Sequence, residues 1–291
     1  MTATPFPFAY SVNEFTTQPW TFEEDVEHYA ELGVDAVEVC EAKLDDRRFA
    51  EQLARVKDAG LTISGVQPLA RTFFSSQMQP QPQGVDARTA RLMQTIERIA
   101  PFAPGAAFVV NTGAPTKGNV AEVVDVVTSR LRSLSEFAAA HDVRLALEPL
   151  NATQMNTETA LWTLRQALDL LDAVDRPNVG LCLDFWNNWQ DPDLEGQMRR
   201  AGHRIFVLQA SDWRTPRSSG DRLVPGDGII PLGPLLHAVH EVGYRGPCAV
   251  EIFSQDVPDS LYHSDLRDVV RRSRQGLKAA WRGAHQPPEV P

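Results

Sequence analysis

Cysteine is scarce in this chain: three occur in 291 residues, Cys40, Cys182 and Cys248, each inside a short apolar run. A sparse, odd count in such settings excludes a disulfide framework, and no two share a zinc or redox spacing, so reduced core thiols in a cytoplasmic protein are expected. Long hydrophobic runs are missing as well. The stretch 102–114 is cut by Pro104, Gly105, Asn111 and Gly113 and is too short and broken to span a bilayer, so no membrane partner is expected. Met1–Phe6 carries neither a basic n-region nor a long apolar h-region, and no secretory signal is expected there. Basic charge is in deficit, 28 Lys and Arg against 38 Asp and Glu for a net charge of -10, which disfavours nucleic acid and other polyphosphate partners. Gly226 and Gly228 fit no P-loop or dinucleotide fingerprint and read as tight-turn residues. The seven histidines fall mostly on predicted helices or their ends, where a solvated role is expected.

What is present is a regular alternation of strand-like and helix-like segments. Strands are predicted at Phe8–Val12, Ala36–Cys40, Leu61–Val66, Ala107–Val110, Val143–Leu147, Val179–Leu183, Ile205–Leu208 and Cys248–Ile252. Amphipathic helices between them force crossovers and hence a parallel sheet. Thr21-Phe22-Glu23-Glu24 is a capping box, with Gly33 as the stop of the helix that follows. Further helices are predicted at 45–59, 87–99, 120–140, 157–173, 194–201, 231–242 and 261–280. The segment Gln77–Gly84, rich in proline and glutamine, suits neither a helix nor a central strand and is expected to cross one end of the fold as a lid or an oligomer contact. The expected architecture is α/β, a (β/α)8 barrel forming one domain over residues 1–285, with 286–291 as a disordered tail.

Four of the apolar runs end in a side chain that offers an oxygen: Glu148, Asp184, Gln209 and Glu251, spaced 36, 25 and 42 residues apart, one βα unit each. A carboxylate there is badly placed for a core and well placed at a strand mouth. Four mouths converge only in a closed barrel, where reactive groups gather at the C-terminal ends of the strands. Taken singly, each such residue is more simply a cap or a solvated turn residue. The recurrence at four consecutive strands is what points to a divalent-metal site.

Glu148-Pro149-Leu150-Asn151, Leu183-Asp184, Gln209-Ala210-Ser211-Asp212-Trp213 and Val250-Glu251-Ile252-Phe253-Ser254 resemble the sugar isomerase/epimerase superfamily of xylose-isomerase-like TIM barrels, over nearly the whole chain from Phe8 to Ser254. The superfamily includes ketose 3-epimerases, hydroxypyruvate isomerase, inosose and 3-dehydroshikimate dehydratases and endonuclease IV. The resemblance implies that Glu148, Asp184, Gln209 and Glu251 bind one divalent cation and that Glu148 and Glu251 also transfer protons. Four oxygen donors suit Mn²⁺ or Mg²⁺ over Zn²⁺, with Co²⁺ as a further option. Such an ion polarises a substrate carbonyl and stabilises the enediolate left when the α-proton departs. The implied activity is isomerisation or epimerisation of a sugar or polyol-derived keto compound by a homo-oligomeric enzyme. The alternatives are a lyase that loses water or an aglycone from the same intermediate, or a non-catalytic barrel subunit.

The surrounding shell departs from the ketose 3-epimerases, which continue Asn-Arg-x-Glu where this chain has Asn151-Ala152-Thr153-Gln154. Many relatives also carry Asp-x-x-His where Asp184-Phe185-Trp186-Asn187 stands. Asn151 and Asn187 are assigned to substrate binding, and the substrate is open. Arg222 resembles a family arginine that contacts substrate oxygens, against the plainer reading of a surface salt bridge. Trp186 and Trp213 are expected in an aromatic wall, against a core role. Asn111 is a candidate hydrogen-bonding pocket residue, Glu38 a candidate substrate contact, and Glu41 a solvated or capping residue. Gln67 and Asn111 occupy the positions where endonuclease IV-like chemistry would need histidine.

Overall fold

Eight parallel strands close into a barrel in sequence order, each paired with the next and β8 with β1. A computed structural model of the chain describes residues 5–215, 220–255 and 257–283; the expected tail at 286–291 lies outside them. The strands are β1 Tyr10–Asn13, β2 Ala36–Cys40, β3 Thr62–Gln67, β4 Ala107–Val110, β5 Arg144–Leu147, β6 Val179–Asp184, β7 Ile205–Ala210 and β8 Cys248–Val250. The helices are α1 Phe22–Glu31, α2 Phe49–Asp58, α3 Val85–Ile99, α4 Val120–Ala140, α5 Leu164–Val174, α6 Phe185–Asn188, α7 Leu194–Ala201, α8 Leu232–Glu241 and α9 Leu266–Trp281. Among the described residues no helix is long and apolar enough to cross a membrane.

All eight predicted strands are present. Where helix boundaries differ, a side chain explains the shift. The residues from Asp45 do not open α2, because the Asp45 carboxylate accepts from the Arg47 and Arg48 amides (2.8 and 3.1 Å) and holds a turn, so the helix starts four residues later. Residues 157–163 form a turn and an irregular segment rather than a helix. Thr157 and Glu158 accept from the Gln77 and Met78 amides, and Thr163 with Gln166 forms the capping box that begins α5. Residues 261–263 make only a single tight turn, and Asp265 then caps α9. The capping box at Thr21 and Glu24 stands as the sequence indicates.

Two apolar layers hold the barrel. The large core lies between strands and helices, and a smaller cluster of Ala107, Val109, Ala146, Cys182, Phe206 and Val207 fills the barrel interior. Successive strand residues face opposite sides, so two positions on from Val109, Ala146, Cys182 and Val207 the same inward direction falls to Asn111, Glu148, Asp184 and Gln209. The barrel's dry plug therefore sits directly beneath its polar mouth.

Residues 69–84 lie over that mouth. Phe73 and Phe74 donate backbone hydrogen bonds to Asn111 and Thr112 (3.2 and 2.9 Å), and the buried Arg88 guanidinium ties in the Thr72 and Pro82 carbonyls (2.6 and 2.8 Å). Gly113 permits the close approach: its φ is +79°, and a Cβ there would lie 2.0 Å from the Phe74 carbonyl oxygen.

Candidate metal centre

Asp184 is the last residue of β6, Gln209 the penultimate residue of β7, and Glu148 and Glu251 are the first residues beyond β5 and β8. Glu148, Asp184 and Glu251 are buried, and each turns a carboxylate oxygen to within 4.8 Å of the other two. Amide donors and one guanidinium hold these like charges together. Asn187, in the short helix α6 that Asp184 itself caps, donates through one amide nitrogen to both Glu148 and Asp184 at 2.9 Å. Asn111 donates to the other Glu148 oxygen at 3.0 Å, and Asn13 to Glu251 at 3.0 Å. Arg222 folds back into the barrel and places one nitrogen 2.9 Å from both Asp184 and Glu251. Its guanidinium is sandwiched between the Trp186 and Phe253 rings, 4.6 and 4.8 Å from their centroids. At 4% exposure Arg222 is a buried cation of the site; the surface salt-bridge alternative does not describe it.

Gln209 is the member whose role the geometry qualifies. Its amide nitrogen donates to both Glu38 oxygens (2.9 and 3.0 Å) and to Glu251 (3.3 Å), while its oxygen faces the Cys182 thiol at 3.2 Å. Gln209 would offer oxygen to a cation only with the amide turned over, which sets two oxygens against Glu38 unless that carboxyl holds a proton. Glu38 is fully buried and is also held by Gln67 at 2.9 Å.

Electrostatics here carry an uncompensated cost. Burial, then the Asp184 charge, pushes the Glu148 carboxyl up to about 7. Burial also raises Glu251 well above the ordinary range, with Arg222 opposing and the neighbouring carboxylates adding to the rise. Asp184 is raised by burial against the pull of Arg222, and Glu38 by burial against its amide donors. Burial works against the charge of Arg222, yet Asp184, Glu251 and Glu148 hold its proton affinity above normal. Three buried carboxylates face one guanidinium, a deficit of two positive charges, and their donor set is all oxygen. That chemistry fits a hard divalent cation.

A cavity opens above the carboxylates, walled by Asn111, Glu148, Glu251 and Arg222 together with Arg71, Met78 and Glu158. Asn111 therefore stands in its wall as expected. Glu38, Trp186, Trp213, Asn151 and Asn187 do not line it. Glu38 lies within the barrel, Trp186 backs Arg222, and Trp213 packs on Trp189 (5.9 Å). Asn151 braces Asn187, its side-chain amide donating to the Asn187 carbonyl (3.2 Å) and its backbone N–H to the Asn187 side-chain oxygen (3.0 Å). Glu41 is neither solvated nor a cap: it is buried and pairs with Arg91 at 2.8 Å and Arg98 at 3.5 Å, and it accepts from the Thr95 hydroxyl and the Leu69 amide. The sequence reading missed Asn13 and Arg71. Asn13 ends β1 in register beside Glu38, a placement visible once eight strands are aligned by their mouths.

Comparisons with known proteins agree with this architecture. A family model described as xylose isomerase-like TIM barrel matches residues 26–280. An inosose isomerase of Bacillus velezensis is 26% identical over 279 residues, covering 92% of this chain and 95% of that protein. A 3-dehydroshikimate dehydratase of Pseudomonas aeruginosa is 30% identical over 255 residues, 80% of this chain but 36% of that longer protein. Among solved structures, the IolI protein with a binding zinc atom superposes with a TM-score of 0.79 at 21% identity, covering 96% of this chain and 99% of that one.

Proposed function

This chain belongs to the xylose isomerase-like TIM barrel family, and on that premise we propose that it is a divalent-metal-dependent enzyme that isomerises or epimerises a sugar- or polyol-derived keto compound by removing a proton α to the carbonyl. The observation that carries this reading is the buried triad Glu148, Asp184 and Glu251, three converging oxygens with two positive charges too few. These three would hold the cation, with Gln209 as a fourth oxygen donor when its amide is turned over. Bound there, a divalent ion supplies Lewis-acid polarisation of a carbonyl.

The protein's own groups do the rest. β5 and β8 are separated by two strands, so Glu148 and Glu251 reach the cavity from different directions. One removes the proton and the other returns one, to the far face of the same carbon in epimerisation or to the neighbouring carbon in isomerisation. Asn187, Asn111 and Asn13 fix the carboxylates so that they need not reorganise during the transfer. Arg222, bridging Asp184 and Glu251, moderates the negative charge that collects as the proton leaves. The dehydratase relative, at 30% identity, supports a second reading, in which the same proton removal is followed by loss of a leaving group from the β-carbon.

The test is solvent exchange. Mn²⁺-loaded protein in D₂O should place deuterium in recovered inosose or ketose, and Glu251→Gln should keep the ion and lose exchange by several orders of magnitude. An isomerase or epimerase leaves the mass unchanged apart from the isotope, whereas a lyase gives an unsaturated carbonyl that absorbs in the ultraviolet. Exchange that persists in a Glu148→Gln, Glu251→Gln double variant refutes the assignment of both glutamates.

A further inference from the structure

The cavity above the carboxylates contains a second cation. Arg71 is fixed by its backbone, the carbonyl accepting from the Asn111 amide at 2.8 Å and the N–H donating to the Gln79 side chain at 3.2 Å. Its half-buried guanidinium lies 5.6 Å from the Phe15 centroid and, among the described residues, makes no hydrogen bond or ion pair of its own. Phe15 packs on Phe253 at 4.9 Å, and the Arg222 guanidinium lies over the Phe253 ring at 4.8 Å. An aromatic pair is thus flanked by two arginines, one spent on Asp184 and Glu251 and the other facing open space.

That space is built for a ligand longer than the metal-binding end of a substrate. The cavity over the carboxylates and an adjoining, larger one along Phe15, Gln18 and Phe253 share Gln67, Arg71, Met78 and Gln79 as a common wall. Arg71 stands at the junction, near enough to Glu148 for its charge to be felt there and too far to pair with it. Glu158, the other acid in the wall, turns both oxygens to the Met78 amide (3.1 and 3.2 Å). A divalent ion together with Arg222 balances Glu148, Asp184 and Glu251, and among the described residues Arg71 forms no ion pair with Glu158, which leaves its guanidinium open to a ligand.

We propose that the substrate is a carboxylate: its carbonyl end meets Glu148, Asp184 and Glu251, and its carboxylate pairs with the guanidinium of Arg71 over Phe15. This rests on the metal-centred reading of the same site and narrows it from sugars in general to a keto acid. One planar guanidinium matches a carboxylate in geometry and in charge. Neither cavity is lined by a lysine, so a phosphate dianion would leave excess negative charge in an already acidic mouth.

The experiment measures binding of 3-dehydroshikimate, its neutral methyl ester, inosose, and the pair D-fructose 6-phosphate and D-fructose to the Mn²⁺-loaded protein by calorimetry, in wild type and Arg71→Ala. Arg71→Ala removes no side-chain hydrogen bond and should melt like wild type. Wild type should prefer the acid over its ester by about tenfold or more, the worth of a charge-assisted hydrogen bond. In Arg71→Ala the preference should fall to twofold or less, with inosose and Mn²⁺ affinities within twofold of wild type. The inference is overturned if the acid binds no tighter than its ester in wild type, undetectable binding of both included, or if the preference survives in Arg71→Ala. A larger gain for the phosphate over its parent sugar than for the acid over its ester overturns the carboxylate assignment. Failure of wild type to bind Mn²⁺ while the acid is still preferred overturns the metal reading alone, and Mn²⁺ binding without the preference overturns the carboxylate proposal alone.

Discussion

The metal-free protein should become less stable as pH rises from 5 to 8, the reverse of the usual behaviour of a protein leaving its acid range. The Glu148 carboxyl titrates near 4.5 in an unfolded chain and at about 7 in the fold. A raised folded value means that the native state binds the proton more tightly. Its stabilising contribution is complete below 4.5 and is lost as pH climbs through 7. The difference corresponds to about 3 kcal/mol, or a fall in Tm of roughly 5 °C for a chain of this size. Asp25 and Asp191, each raised to about 6 by burial, act with the same sign, so the wild-type slope is not due to Glu148 alone. Glu31, Glu51 and Asp172 are held low by arginine partners, and Glu24 by its bonds to Thr21; they matter only in more acidic solution.

Two comparisons isolate the site. Thermal melts in EDTA at half-unit pH steps should show a shallower slope for Glu148→Gln than for wild type across pH 5–7. Mn²⁺ should raise the wild-type Tm more at pH 8 than at pH 5, because below 7 each ion must displace a proton from Glu148 and its affinity falls about tenfold per pH unit. Identical slopes in wild type and Glu148→Gln, together with a pH-independent effect of Mn²⁺, would refute both the raised affinity and its assignment to the metal centre.

Arg222→Met removes the one cation bridging Asp184 and Glu251 and should cost about 3 kcal/mol in EDTA, with much of the loss recovered on adding Mn²⁺, as read by urea melts. If Mn²⁺ gives no recovery, the ion and Arg222 do not share those carboxylates. Gln209→His should shift preference from Mn²⁺ toward Zn²⁺ or Co²⁺ in calorimetric titrations; unchanged affinities would leave Gln209 as a brace for Glu38 and no ligand. Gly113→Ala should cost about 2 kcal/mol or more and loosen residues 69–84, because the new methyl collides with the Phe74 carbonyl at a positive φ. Amide exchange confined to wild-type rates in that segment would refute this account.

The barrel and the positions of its mouth residues were legible because both follow from short-range rules. A strand's inward face repeats every second residue, so an apolar run that ends in an acid announces a polar mouth over a dry interior, as at Ala146 and Glu148 or Cys182 and Asp184. Caps are equally local, which is why Thr21 and Glu24 could be paired from sequence. The partners that hold the site together are not local. Arg222 reaches Asp184 only because Asp212 bridges Leu223 and Asp221 bridges Ser254, folding the segment after β7 back across the mouth. Glu41 is buried by arginines 50 and 57 residues away, a pairing that no sequence window contains. Asn187 was the one partner within reach: three residues after a capping aspartate, a helical turn returns its amide to that carboxylate, and the Asp-x-x-Asn spacing was there to be read.

The same electrostatics argue against the non-catalytic reading of this barrel. An interior selected for stability alone gains nothing from three acids at this depth, since well-packed apolar residues of similar volume are often neutral or better than a buried ion pair. Here the cost is incurred at three successive levels. Glu148, Asp184 and Glu251 repel one another, the amides of Asn187, Asn111 and Asn13 are committed to orienting them, and Arg222 is desolvated between two rings to offset part of their charge. Each level makes sense as support for the one before it, and above pH 7, where Glu148 gives up its proton, the first is relieved by a cation. Arg71 extends the logic outward: with the centre balanced by such an ion, it is a cavity-wall cation that forms no ion pair among the described residues, and the position where a substrate's own charge would decide whether it is accepted.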